Sequence, residues 1–213
     1  MIILLSSKLP QGLSMSEMSV ELNKLFPACG NSDYFTGKLH ERSEEGSRES
    51  LYALLLLSKA MDMLPSRVDK SVLAFDTVEG GKPCFKQSNI RFNLSHSKGY
   101  VACCVSDECD VGVDIEASII PHEKAIKLAK RYFSEDEMIA VERSPESFTR
   151  IWSEKEAESK FHGGDLAVFL KERKQNSRTK VQTVRLHSFC INNIPITVCA
   201  SGKFSTILFK IIQ

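Results

Sequence analysis

The sequence predicts an α+β fold of two similar halves with a ligand cleft between them. The order of elements carries this: runs with helical spacing and then runs with strand-like alternation appear twice, over about a hundred residues each time. Composition agrees, since 213 residues that are 42% hydrophobic and 26% charged can bury a core of that size. The halves are expected to divide at residue 110, as 1–110 and 111–213, although no internal repeat accompanies the similar order. Clefts between such halves often hold ligands.

Met1-Ile-Ile-Leu-Leu5 reads as a short strand, followed by an amphipathic piece near Ser16 to Phe26. The polar stretch from Ser32 to Ser47 is expected to be a mobile loop, and a core helix should run from about Arg48 to Leu64, stopped by Pro65. Arg91-Phe-Asn-Leu-Ser-His96 and Tyr100-Val-Ala-Cys-Cys-Val105 read as two antiparallel strands about a turn at Lys98-Gly99. After the turn at Asp107 to Asp110 comes a third strand, Val111-Gly-Val-Asp-Ile-Glu116. Helical spacing resumes from Pro121 to Tyr132, and Ser134 with Glu137 has the form of a capping box. Ser144-Pro145 reads as an N-cap and first helical residue, opening a helix to about His162 that Gly163-Gly164 stops. The tail from Val181 to Ile211, with turn signals at Asn192-Asn193 and Ser201-Gly202, suggests a final meander.

A net charge of +1 offers no global attraction to nucleic acid or anionic lipid, so an acidic partner must be met by a local patch. Seven cysteines, an odd number, sit largely in apolar runs such as Cys103-Cys104 and around Cys199, which fits reduced core thiols and a cytoplasmic setting. Cys103, Cys104 and Cys109 lack zinc-ligand spacing. The opening run has no basic n-region for a signal peptide, and Leu51 to Leu57 is far too short to cross a membrane.

Chemistry concentrates in two segments. In the strand Val111–Glu116, Asp114 and Glu116 project to one side while Val113 and Ile115 fill the other. In the helix beginning at Pro145, Trp152, Glu156 and Lys160 are four apart and form one stripe. If that stripe faces the strand, three carboxylates complete a Mg2+ site beside a lysine suited to phosphate. Taken singly each feature is ordinary: Glu156 and Lys160 make a surface ion pair worth about 0.3–0.5 kcal/mol, His96 suits a structural role, Lys82 suits solvent, and Trp152 is assigned to packing.

Gly81-Lys-Pro83, Phe92-Asn-Leu-Ser-His-Ser97, Val111-Gly-Val-Asp-Ile-Glu116, Tyr132-Phe-Ser-Glu-Asp-Glu137 and Ile151-Trp-Ser-Glu-Lys-Glu-Ala157 with Lys160 and Gly163 resemble, in order and spacing, the Sfp-type 4′-phosphopantetheinyl transferases. The look is most like the bacterial holo-acyl-carrier-protein synthase branch. The likeness covers about residues 80 to 165, with a weaker one around Arg48 and the C-terminal strands. It implies that family's pseudo-dimeric fold and a Mg2+-dependent transfer of the phosphopantetheine arm of coenzyme A to a carrier-protein serine, releasing adenosine 3′,5′-bisphosphate. By the resemblance, Asp114, Glu116 and Glu156 match metal ligands, Glu156 also the general base, and Lys160 a phosphate contact. Ser95, His96 and Lys82 match coenzyme A contacts. Further basic contacts from the first half are sought among Lys38, Arg42 and Arg48, with Arg48 preferred.

Acyl carrier proteins of this class are acidic, so Lys124, Lys127 and Arg131, near one face of the helix after the metal strand, are expected to meet the carrier, with Ile119 and Ile120 at the approach. A chain containing both halves is expected to work as a monomer, with neither nucleic acid nor membrane as partner. Two rivals remain open. A Mg2+-dependent nuclease would use Asp114, Glu158 and Lys160, but it places its acid-x-Lys element on a strand, and here the spacing is helical. A non-catalytic coenzyme A binding protein would have lost a ligand or the lysine, and all four are present.

Overall fold

The computed structural model of the chain describes residues 1–29, 43–78, 81–175, 184–202, 204 and 206–212. At its centre lies β1 (Ile2–Lys8), paired antiparallel with β5 (Tyr100–Ser106) and parallel with β9 (Ile207–Ile212), while β4 (Arg91–Ser97) borders β5. Strand alternation sorts the apolar residues of β1 and β5 between two cores. Ile3, Leu5, Val101, Cys103 and Val105 face a core shared with Leu54, Leu57 and Met18. Ile2, Leu4, Ala102 and Cys104 face the opposite way, against Val111, Val113, Ile115, Ile196 and Val198.

The first core is roofed by two helices. In α1 (Met15–Leu25), Ser14 and Glu17 form a reciprocal capping box. In α2 (Glu44–Met61), the Ser43 side chain accepts from the Gly46 amide. The sequence places the start of α2 at Arg48 and its end at Leu64. The cap at Ser43 and the acidic first turn of Glu44 and Glu45 begin it earlier, so Glu44 to Ser47 are helical and not loop, and it ends at Met61. The remainder of the expected loop, with Lys38 and Arg42, lies outside the described residues. A small hairpin of β2 (Phe75–Thr77) and β3 (Pro83–Phe85) adds Phe75 and Phe85 to an aromatic cluster with Phe26 and Phe92.

The second core is closed by a three-stranded sheet, in which β8 (Ile194–Ser201) lies between β6 (Val111–Ile115) and β7 (Val184–Ile191). The β7–β8 turn sits on Asn192 and Asn193, with φ of 50° and 65°, so the turn signal there holds. The expected meander does not continue: β9 leaves its neighbours and joins β1 in the other sheet, which therefore draws strands from both ends of the chain.

Three helices run as the sequence predicts. These are α3 (His122–Tyr132), α4 (Glu135–Arg143) with its capping box at Ser134 and Glu137, and α5 (Pro145–His162), ended by Gly163 at a left-handed φ of 74°. One detail differs, because Ser144 does not cap the backbone and its hydroxyl donates instead to Glu146. A further helix, α6 (Leu166–Gln175), has no counterpart in the sequence reading, since its apolar residues form one run, Leu166–Leu170, ahead of five polar ones and show no helical period, and among its described side chains only Leu170 is buried. The result is a mixed α+β architecture, and no described helix is long and apolar enough to cross a membrane.

The position of α5 depends on Gly112. A Cβ there would lie 2.2 Å from the Ala157 carbonyl oxygen and 2.5 Å from the Phe161 nitrogen, both backbone atoms of α5. Gly112→Ala should destabilise the fold by about 3 kcal/mol or more, read as a lower denaturant midpoint at unchanged slope. A midpoint equal to that of the parent would show that α5 can stand away from β6.

Candidate active site

The site begins with alternation in β4. Phe92 and Leu94 turn to the first core, whereas Asn93, Ser95 and Ser97 turn to β6. There the Asn93 side-chain oxygen accepts from Val113 N–H at 2.8 Å, Ser95 Oγ from Ile115 N–H at 3.2 Å, and Ser97 Oγ from Ala117 N–H at 3.1 Å. Side chains thus do for β6 what a neighbouring backbone would do in a continuous sheet. This fixes the register of the acidic residues.

Asp114 is 3% exposed at its side chain and lies on the α5 face of β6. Its Oδ1 accepts from Ser95 Oγ at 2.9 Å and from Lys160 Nζ at 2.6 Å. Lys160 also reaches Ser95 Oγ at 3.0 Å and Glu156 Oε2 at 3.3 Å. The other oxygen of Glu156, Oε1, accepts from the indole N–H of Trp152 at 2.8 Å. Glu116 follows β6 and accepts through Oε1 from Ser97 Oγ at 2.9 Å and Ser118 N–H at 2.8 Å. The helical stripe does face the strand, and it brings Glu156 and Lys160 to Asp114.

Charge states follow from this crowding. Burial would lower the Lys160 ammonium, but the carboxylates of Asp114 and Glu156 outweigh it and hold the group above its usual range. Glu156 is pushed up by burial and then by the Asp114 charge, with Lys160 and Trp152 opposing. Asp114 Oδ2 is buried with no hydrogen-bond partner. A carboxylate oxygen left open in a dry setting is a costly arrangement unless a cation meets it.

Among the described residues, no three His, Cys, Asp or Glu side chains already converge as a metal cluster. Lys160 stands between Asp114 and Glu156, and Glu116 is held by Ser97. The donors still fit a small divalent ion, because all are hard carboxylate oxygens and one of them is open.

The other residues singled out in the sequence fall elsewhere. The Ser95 hydroxyl is engaged by Asp114, Lys160 and Ile115, which makes it part of the frame of the acid site. His96 is on the opposite face of β4, where Nδ1 meets Glu49 Oε2 at 2.7 Å. The Arg48 guanidinium donates to the Leu13 carbonyl at 3.2 Å. Lys82 is not a solvated lysine. Its Nζ donates to the carbonyls of Val111 at 2.7 Å and Phe161 at 3.2 Å, tying β6 to the end of α5, and burial pushes its ammonium below the usual range. Glu158 turns to the far side of α5 and pairs with Arg173 of α6. Lys124, Lys127 and Arg131 are exposed on α3.

Two contributions escape the sequence reading. Asn93 and Ser97 belong to the frame, and their signal was the polar alternation at 93, 95 and 97. Trp152 packs, as expected, on Phe148 and Phe133, but it also donates to Glu156, which spacing alone did not disclose.

Lys160→Ala should destabilise the fold by about 2–3 kcal/mol, since it strands the buried Asp114 charge while Lys160 itself is 31% exposed. Adding Asp114→Asn should recover most of that loss in thermal or denaturant unfolding. Additive losses in the double variant would mean that the two groups do not compensate each other.

A model of the 4′-phosphopantetheinyl transferase superfamily matches residues 110–201. The chain is 40% identical over 116 residues to 4′-phosphopantetheinyl transferase AcpT of Salmonella typhi, covering 52% of this chain and 56% of the relative. It is 31% identical over 134 residues to 4′-phosphopantetheinyl transferase Sfp of Bacillus subtilis, covering 58% of each. To AcpT of Escherichia coli (strain K12) it is 38% identical over 134 residues, covering 59% of this chain and 64% of that one. These matches span less than two thirds of each relative's length. The matched stretch contains Asp114, Glu116, Glu156 and Lys160, from the strand, its exit and the helix just described, and over that stretch the chain is similar to the 4′-phosphopantetheinyl transferases.

Proposed function

We propose that this protein transfers the 4′-phosphopantetheine arm of coenzyme A to a serine of an apo acyl carrier protein, in the manner of a holo-acyl-carrier-protein synthase, with release of adenosine 3′,5′-bisphosphate. The observation that supports it is the joining of Asp114, Lys160 and Glu156 at hydrogen-bond distance within the family-matched stretch. The reaction forms a bond between the serine oxygen and phosphorus and breaks the bond to the bridging pyrophosphate oxygen. It needs an acceptor for the serine proton and positive charge against the phosphate oxygens.

Glu156, raised by burial, is the proton acceptor in this reading, and Lys160 is the fixed charge that meets a phosphate oxygen. Asp114, Glu116 and Glu156 would hold a magnesium ion, which supplies further charge neutralisation when bound. Coenzyme A is assigned to contacts from the first half of the chain, with His96 and Arg48 toward its phosphates and Lys82 toward the nucleotide. The second half contributes the metal ligands and the catalytic helix. The six cysteines described are free thiols, which supports a reducing, cytoplasmic setting, and we take the working unit to be a monomer. The nuclease reading loses support because Glu158 pairs with Arg173 on the far side of α5 from Asp114.

The carrier is assigned to α3. Its exposed Lys124, Lys127 and Arg131 suit an acidic partner, and Ile119, 96% exposed, leads from them toward a cavity of about 960 Å³ lined by Glu116, Ile120, Phe189 and Ile194. A serine brought there would lie beside Glu116.

The deciding experiment is mass spectrometry of an apo carrier protein incubated with this chain, coenzyme A and Mg2+, where a gain of the phosphopantetheine mass is expected. An unchanged carrier mass across a panel of acyl and peptidyl carriers would reject the reading. Asp114→Ala and Glu116→Ala should each reduce transfer by about 100-fold, and Glu156→Gln should do likewise. Glu154→Gln and Glu158→Gln should be mild for turnover, because their partners are Arg150 and Arg173. A severe Glu158 defect beside a mild Glu156 defect would point to the nuclease-like arrangement.

Charge reversal of Lys124, Lys127 and Arg131 to Glu should raise the carrier KM, lower kcat/KM more than kcat, and leave coenzyme A affinity unchanged. Wild-type kcat/KM should also fall as salt rises, because charges are screened beyond about 8 Å at physiological ionic strength, and the reversal variant should lose that dependence. Parallel salt curves with equal carrier KM would remove α3 from the docking surface.

A further inference from the structure

Trp152 is the only tryptophan in the chain. Its ring stacks on Phe148 with centroids 5.5 Å apart and planes at 20°, and Phe148 stacks in turn on Phe133 at 5.4 Å and 19°. Phe148 is 5% and Phe133 2% exposed, so the stack is anchored in the core formed by α3, α4 and α5. Packing accounts for the burial of the ring. It does not account for the direction of the N–H, which points one helical turn along α5 to Glu156 Oε1 at 2.8 Å.

We infer that Trp152 is a positioning residue whose indole N–H occupies Glu156 Oε1 and so leaves Oε2 as the oxygen turned toward Lys160 and Asp114. The indole N–H suits this task because it only donates and does not titrate in the working range, so the bond cannot reverse its polarity. A glutamate has three side-chain torsions, and fixing them costs about 1.5–2 kcal/mol of conformational entropy. A donor held rigidly by stacked rings meets that cost when the protein folds, before substrate arrives, which is the physical content of preorganisation. Phenylalanine at this position would keep the stack and lose the donor. Phe133, at the junction of α3 and α4, also ties the stack to the helix assigned to the carrier, so the orientation of Glu156 and the placement of α3 share one set of rings.

The kinetic consequence rests on the proposed transfer reaction, whereas the hydrogen bond itself can be read without it. In protein labelled with 15N at the indole, the single tryptophan gives one N–H cross-peak. That peak should move upfield in Glu156→Gln, where the acceptor loses its charge, with no ligand present. It should also respond to Mg2+ alone in a saturable titration. Trp152→Phe should lower kcat about tenfold with KM for coenzyme A and carrier within about twofold, and keep Tm within about 4 °C of the parent. Phe148→Leu, which thins the stack but leaves the N–H, should lower Tm more than Trp152→Phe does and cost kcat much less.

A cross-peak indifferent to Glu156→Gln, or a Trp152→Phe variant with parental kcat, overturns the inference. So does a Phe148→Leu variant that loses as much kcat as Trp152→Phe, since packing would then be the cause. Should the chain fail to modify any carrier, the Glu156→Gln comparison of the cross-peak still decides the bond, and the failure belongs to the proposed reaction.

Discussion

Three side chains of β4, Asn93, Ser95 and Ser97, accept the outward amide protons of residues 113, 115 and 117, and the rest of the site depends on this ladder. The edge strands β4 and β6 belong to different sheets, so no backbone ladder joins them. A buried amide left without an acceptor costs about 1–3 kcal/mol, which makes each rung a condition of the register between the sheets. A slip of β6 by one residue would turn Asp114 into the second core and Val113 toward α5. Two rungs also touch the acids directly, since Ser95 donates to Asp114 and Ser97 to Glu116. The same hydroxyls therefore set both the strand's register and the orientation of the carboxylates it presents.

Once the strand is placed, the helix must approach closely enough to answer it. Gly112 permits this by leaving room for the backbone at Ala157 and Phe161, and Lys82 fastens the approach from below through the carbonyls of Val111 and Phe161. Lys160 can then reach back to Asp114 and still touch Glu156. The acid pair is tolerated because the lysine is within hydrogen-bond distance of both, and the lysine stays charged because of the acids. Neither side of that exchange would be stable at this burial without the other.

Much of this was legible in the residues because it follows from period. Alternation identified β4 and β6 and put Asp114 and Glu116 on one face, a continuous apolar run identified β5, and the 3.6-residue repeat put Trp152, Glu156 and Lys160 in one stripe. The helix bounds at Pro145 and His162 follow from proline and glycine, whose backbone constraints are local. What failed was not local. That β9 would leave the C-terminal hairpin to lie parallel to β1 is a matter of long-range pairing, and the apolar side chains of β9 suit either sheet. The helix α6 escaped for a related reason, as its place depends on Leu170 and on the pairing of Arg173 with Glu158 across from α5. Taken singly, Lys82 reads as a solvated lysine because most lysines are, and only the tertiary structure shows two carbonyls converging on its ammonium.

The segment from Trp152 to Lys160 shows how a single helix can serve several neighbours without conflict. Successive residues turn by about 100°, so Ser153 meets Thr197, Glu154 meets Arg150, Lys155 meets Glu137, Ala157 meets Gly112 and Glu158 meets Arg173. Glu137 accepts from Lys155 while also capping α4 through the Ser134 amide, so the start of α4 is fastened to the side of α5. Each charged group that does not point at the acid site has an opposite charge elsewhere. Glu156 and Lys160 differ from the rest of this run in that Lys160 bridges two carboxylates, Glu156 on its own helix and Asp114 on β6, whose charges oppose each other. Their neighbours hold the helix at one rotation about its axis, and at that rotation the two groups share their space with a buried carboxylate and its open oxygen. A small rotation would restore them to the solvated ion pair that their spacing alone would predict.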